Sequence, residues 1–264
     1  MIRKFSFIIF TIFILFFVSC TSYIAKQKKQ GEAIRNLGEV YMAEGKYTLA
    51  LKEFFRAEEI YHNDPFLHND LGEVYMAKGR NDLAIAHFKE AVKLKHDYAP
   101  AMNNLGTAYM VKGDWDTAID YFQKVTKDLL YVTPYNPLSN MGWAYYKKKE
   151  YKLAEKYYLD ALELQPEFLK ALLGLGQTYI MLNRLPDAVS TLETAVAVYE
   201  RDVEKSKKDD KLSPRSAVLY FELARAYRRS QSYTKAVDAY NRIIELFPGS
   251  KQAKEAKKKA EEIY

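Results

Sequence analysis

Between residues 36 and 57 the apolar positions fall into two short runs. Leu37 and Tyr41 stand four apart, and after the polar break Glu44-Gly45-Lys46 the residues Ala50, Phe54 and Ala57 follow at spacings of four and three. Positions three and four apart share one face of a helix, so the pattern predicts two amphipathic helices joined by a tight turn. Gly45 suits that turn, because glycine takes the left-handed backbone that ends a helix without a steric penalty. The pattern returns. "NLGEVYMAEGKYTLALKEFFRA" at 36–57 is followed by "DLGEVYMAKGRNDLAIAHFKEA" at 70–91 and "NLGTAYMVKGDWDTAIDYFQKV" at 104–125, a period of 34. Further copies occupy 140–161, 174–195 and 222–243. Gly79, Gly113 and Asn183 keep the turn position, whereas Lys149 and Gln231 fill it in the fourth and sixth copies, where a differently built turn is expected.

Small and large residues alternate between the columns of the repeat. Gly38, Gly72, Gly106, Gly142, Gly176 and Ala224 allow close helix approach opposite Ala50, Ala84, Ala118, Ala154, Ala188 and Ala236. Tyr41, Tyr75, Tyr109, Tyr145, Tyr179 and Tyr227, with Phe54, Phe88, Phe122, Tyr158, Leu192 and Tyr240, fill the space beside them, so these aromatic columns read as core. Over residues 31 to 250 this resembles the tetratricopeptide signature. The resemblance implies an all-α protein, a right-handed α-solenoid of six tetratricopeptide repeats with a C-terminal capping helix. One helix pair cannot bury its apolar face alone, so the units must stack and the last needs a cover. "GSKQAKEAKKKAEEIY" supplies it, with Ser250 as amino-terminal cap and Ala253, Ala256, Ala260 and Ile263 at helical spacing. The repeats are expected at about 31–64, 65–98, 99–134, 135–168, 169–202 and 217–249, with a charged insertion at about 200–215 and the cap at 250–264.

The first residues follow another pattern. Arg3 and Lys4 precede an apolar run from Phe5 to Val18, broken only by Ser6 and Thr11. A basic start and an h-region of this length predict a signal peptide over residues 1–19, the run being shorter than the ~20 residues a spanning helix needs. Cys20, the only cysteine, excludes an internal disulfide. With Ser19 before it, Cys20 resembles the lipobox of bacterial lipoproteins, although Phe17 stands where that family prefers Leu. The resemblance implies diacylglyceryl and acyl lipid on Cys20 as the only attached group, with a tether at 20–30. The absence of Asp after Cys20 implies sorting to the outer membrane, facing the periplasm.

Composition narrows the function. The chain is 48% hydrophobic and 28% charged, ordinary for a globular protein able to bury a core. Its net charge of +6 drops to +4 once Arg3 and Lys4 leave with the leader, and the basic residues are interspersed with 34 acidic ones. A mixed solvated surface follows, with no nucleic-acid partner and no small-molecule substrate. The histidines His62, His68, His87 and His96 show no zinc spacing, His62 and His96 being repeat residues near turns, so no metal is expected. No phosphate-binding loop or nucleophile elbow occurs, and "GLG" at 174–176 belongs to the helix-packing column, so no catalytic residue and no enzyme is expected.

The period breaks twice. From Gly176 to Ala224 the spacing is 48, and the added "ERDVEKSKKDDKLSPR" reads either as extensions of the two flanking helices joined near Lys208 to Ser213 or as a solvated loop. From Gly106 to Gly142 it is 36, and Pro134 with Pro137 predicts an extended connector over about 131–137. A third repeat ending in "KDLLY", a proline linker and "LSNMGWAYYKKKEYKLAEKYY" resemble type IV pilus biogenesis lipoproteins, the pilotins. That resemblance implies an outer-membrane lipoprotein acting as a protein-binding scaffold for assembly of the pilus secretin, with secretin subunits as partner. A scaffold for another envelope complex, in outer-membrane protein assembly or polysaccharide export, is the alternative. In this repeat class the first helix of each unit lines a groove, which places Asn69, Met76, Asn103, Met110, Asn140, Trp143, Tyr146, Arg225, Arg228 and Arg229 there, with Met42. Asparagine amides pair with extended backbone, methionine adapts to apolar side chains, and aromatics anchor interfaces. Trp143 and Tyr146 could instead pack within the solenoid. The arginines could receive a carboxylate or form a solvated basic face. Glu39 and Glu73 depart from the carboxylate clamp of chaperone cofactors.

Overall fold

A computed structural model describes residues 2–128, 131–206 and 214–263, without the side chains of 2–21, 206 and 214–216. Among the described residues all regular structure is helical. The chain divides into two compact units, Met1–Asp114 and Trp115–Tyr264.

The first unit holds α1 (Ile2–Ala43), α2 (Tyr47–Ile60), α3 (Pro65–Ala77), α4 (Asn81–Leu94) and α5 (Ala99–Lys112). The end of α1 pairs with α2, and α3 with α4, each across the predicted turn. Asp64 fixes the start of α3: its Oδ1 accepts from Phe66 N at 2.9 Å and Pro65 follows at the first helical position. Ala50, Phe54, Ala57, Leu67, Leu71 and Val74 form the core of the first repeats. A Cβ on Gly72 would collide with the ring of Phe88, and one on Gly38 with the ring of Phe54, which is why these columns are glycine.

The second unit holds α6 (Trp115–Thr126), α7 (Tyr135–Lys147), α8 (Tyr151–Leu164), α9 (Leu169–Met181), α10 (Leu185–Ser206), α11 (Pro214–Arg229), α12 (Tyr233–Leu246) and α13 (Lys251–Glu261). Its core runs from Ala154 and Tyr158 to Ile243 and Ala256. Tyr158 is wedged between glycines of successive first helices: a Cβ on Gly142 would lie 2.8 Å from its ring, and one on Gly174 would meet Cζ and Oη. The helix-packing role expected for "GLG" therefore holds for both of its glycines, Gly176 facing Leu192. Ser250 caps α13, accepting from Ala253 N at 3.0 Å, and Ala253 and Ala256 are buried against the preceding pair.

Two expectations need correction. The turns at Lys149 and Gln231 are not built differently: both residues are left-handed, at φ 63° and 60°, like Gly45 at 72°. Lys149 N donates to Tyr146 O at 3.0 Å and Glu150 N to Tyr145 O at 2.9 Å, the same two bonds that Gly45 and Lys46 make to Met42 and Tyr41. These bonds absorb the last carbonyls of the helix and hold the backbone left-handed whatever the side chain. The connector ends at Pro134, not Pro137, because Pro137 lies in the first turn of α7, where a backbone N–H has no helical partner to lose. Residues 129 and 130, just before the connector, lie outside the described residues. The long insertion extends its flanking helices, with α10 reaching Ser206 and α11 starting at Pro214, while the junction at 207–213 lies outside the described residues. Arg201 on the extension grips Glu167 with two bonds of 2.5 and 2.8 Å, and Glu200 accepts from Tyr220 Oη at 2.7 Å. No helix among the described residues is long and apolar enough to cross a membrane.

Candidate functional site

In the first unit the predicted residues sit on α3 and α5, and only some converge. Asn69 is buried: its Nδ2 donates to Glu73 Oε1 at 2.8 Å and its Oδ1 accepts from Asn104 Nδ2 at 3.0 Å. Asn104 also donates to Glu73 at 2.9 Å, so it, and not Asn103, is the amide of the third repeat that faces Asn69. Asn103 Oδ1 is enclosed and has no hydrogen-bond partner among the described residues. Met76 lines a cleft of about 280 Å³ with Glu73, Asn104 and Thr107, and Met110 is half-buried.

Beside this band lies a charge cluster that periodicity did not reveal. Arg35 Nη1 meets Asp64 Oδ2 at 2.7 Å and its Nε meets Glu39 Oε1 at 3.1 Å, leaving Asp70 Oδ2 at 3.6 Å. One cation thus serves three carboxylates. Burial, with Glu39 close by, outweighs Arg35 and pushes the Asp70 carboxyl up to about 8. Phe66 lies under Arg35 at 5.2 Å and Lys95 at 5.1 Å and meets Tyr98 edge-on. The band is therefore rich in carboxyl and amide groups.

The second unit presents a different band. Asn140 is buried and its Oδ1 accepts from Lys170. Trp143 and Tyr146 on α7 stack at 5.4 Å with ring planes 8° apart, and Lys147 Nζ lies 4.5 Å over the Trp143 ring. Both aromatics are half-buried, one side against the core. Burial, with Glu222 near, holds the Tyr146 phenol above its usual range. On α11, Arg225 Nη1 donates to Glu222 Oε2 at 3.2 Å, and Glu222 Oε1 accepts from Gln177 Nε2 of α9 at 3.1 Å. Arg225 Nη2 also lies 3.6 Å from Met181 Sδ. Three first helices are linked into one polar and aromatic strip in which Gln177 and Glu222 were not anticipated.

The three arginines line one cleft but differ in their bonds. Arg229 donates to Ile180 O at 2.6 Å and Asn183 Oδ1 at 2.9 Å, which commits it to holding the end of α9. Arg228 is exposed, without an ion pair among the described residues, and the cleft of about 460 Å³ that it shares with Arg225 and Arg229 is also lined by Tyr240, Glu255 and Lys259. Cys20 falls within α1, and its side chain lies outside the described residues.

Comparison with known proteins fits this geometry. Tetratricopeptide-repeat models match residues 101–129, 135–168 and 217–250, and a TPR-repeat model matches 72–113. The crystal structure of PilW, described as a widely conserved type IV pilus biogenesis factor, aligns with a TM-score of 0.76 at 22% identity, covering 85% of this chain and 97% of PilW. PilF of Pseudomonas aeruginosa aligns with a TM-score of 0.72 at 17% identity, covering 89% of this chain and 99% of PilF. Among curated proteins, the protein O-mannosyl-transferase TMTC3 of Homo sapiens is 29% identical over 116 residues, 44% of this chain. The chain spans only 13% of that protein's length. The chain is all-α, carries tetratricopeptide repeats matched within residues 72–129, 135–168 and 217–250, and in fold resembles the type IV pilus biogenesis factor PilW.

Proposed function

We propose that the protein is a non-catalytic lipoprotein of the outer membrane that faces the periplasm and binds secretin subunits during assembly of the type IV pilus pore. The observation that carries this reading is the strip across α7, α9 and α11, where Trp143, Tyr146, Gln177 and Arg225 line successive first helices on a fold like that of PilW. Half-buried aromatics flanked by a hydrogen-bonding ladder suit an extended partner segment, with the rings as anchors and the polar groups setting register. Lipid on Cys20 would confine the partner to the membrane plane and so raise its effective concentration.

The test is the multimeric state of the pilus secretin on an unboiled denaturing gel, with and without the protein and with Cys20→Ala. Multimers should vanish in its absence, and Cys20→Ala should leave a folded soluble protein that assembles them poorly. Unchanged multimers in its absence would assign the scaffold to another envelope complex.

A further inference from the structure

Three side chains with metal-ligating atoms converge where α2, α3 and α4 meet. Glu58, His68 and His87 offer a carboxylate oxygen and two imidazole nitrogens that all lie within 4.8 Å of one another. The two Nδ1 atoms face each other at 3.1 Å. The other nitrogen of His68, Nε2, lies 3.0 Å from the carbonyl oxygen of His62. A carbonyl can only accept, so Nε2 carries the proton and Nδ1 presents its lone pair inward. This is how a backbone carbonyl orients a metal-binding histidine through its far nitrogen. His68 is buried, Tyr75 stacks on the His87 ring at 5.3 Å, and Glu58 is half-buried with no hydrogen bond or ion pair among the described residues.

We propose that Glu58, His68 and His87 form a binding site for a divalent transition-metal cation of the zinc type, held by His68 Nδ1, His87 Nδ1 and the Glu58 carboxylate. Bonds of about 2.0 to 2.1 Å in tetrahedral geometry separate neighbouring ligand atoms by about 3.3 Å, so the nitrogens already stand at working distance and Glu58 has only to swing inward. Without metal, His87 donates its Nδ1 proton to His68. Metal binding moves that proton to His87 Nε2, a change of tautomer that leaves the ring neutral. Two nitrogens and one oxygen suit zinc, cobalt or nickel over calcium or magnesium, and a fourth position stays open to water. The ion would pin the second helix of the first repeat to both helices of the second.

The experiment is titration of the full chain, free of added histidines, with Co²⁺ followed by visible absorption. One equivalent should give the intense band of tetrahedral cobalt, zinc should bleach it, and zinc should raise the melting temperature. His68→Ala and His87→Gln should each abolish the band, Glu58→Gln should weaken binding about tenfold or more, and His96→Ala should change nothing. Circular dichroism checks each variant, and if His68→Ala fails to fold, His87→Gln and Glu58→Gln carry the test. Absence of the band, its persistence in the histidine variants, or its loss on His96→Ala would each overturn the proposal.

Discussion

Lys149 holds a φ of 63° on an exposed turn, and its side chain gains nothing visible from that conformation. A left-handed backbone costs a non-glycine residue about 1 kcal/mol or more, so Lys149→Gly should stabilise the chain by about 0.5 to 1 kcal/mol after the greater unfolded-state freedom of glycine is subtracted. The urea midpoint measures it. Asn183 is different, since its side chain receives Arg229, and glycine there would lose that bond. Asp70 gives a dependence on pH. Its carboxyl is raised to about 8 in the fold, so between about 4 and about 8 the native state holds a proton that the unfolded chain releases. Stability should therefore fall as pH rises through that window, and Asp70→Asn should flatten the slope in denaturation series across it. Neither residue could be read this way from sequence. Glycine preference at a turn is a preference only, and the crowding around Asp70 depends on which carboxylates Arg35 reaches across repeats.

Among the elements, helices and their packing columns were legible because spacing alone decides which side chains share a face. Phe54, Phe88, Phe122 and Tyr158 are all enclosed, as the alternation of small and large residues requires. Ser250 was legible too, because a cap is a local bond. Ser250→Ala should loosen α13 by about 1 kcal/mol, seen as faster amide exchange over residues 251–261 with little change elsewhere. What spacing could not give was the direction of side chains between neighbouring helices. Asn103 and Asn104 are adjacent in sequence, yet only Asn104 joins Asn69 and Glu73. The trio of Glu58, His68 and His87 is separated by ten and nineteen residues and matches no metal motif, so only the stacking of helices brings it together.

For the molecule as a whole, each surface is assembled from first helices of successive repeats, and the two surfaces differ in charge. The position after the small packing residue carries Glu39, Glu73 and Thr107 in the first unit and Trp143, Gln177 and Arg225 in the second. If the second carries the partner, Trp143→Ala with Tyr146→Ala should reduce binding of a secretin segment at least tenfold, consistent with loss of two aromatic anchors worth about 1 to 2 kcal/mol or more together. Glu39→Gln should change it little. Calorimetric titration with purified protein distinguishes these, and equal losses from both would remove the assignment to the second unit. The wedge of Tyr158 between Gly142 and Gly174 has a consequence for shuffling the repeats. Most repeats place a polar residue where Gly174 stands, namely Asn36, Asp70, Asn104, Asn140 and Glu222, and Gly174 admits the phenol of the preceding repeat. The fourth and fifth modules are therefore matched as lock and key. A chimera that exchanged either one for a sibling repeat would have to carry its neighbour along to keep this contact.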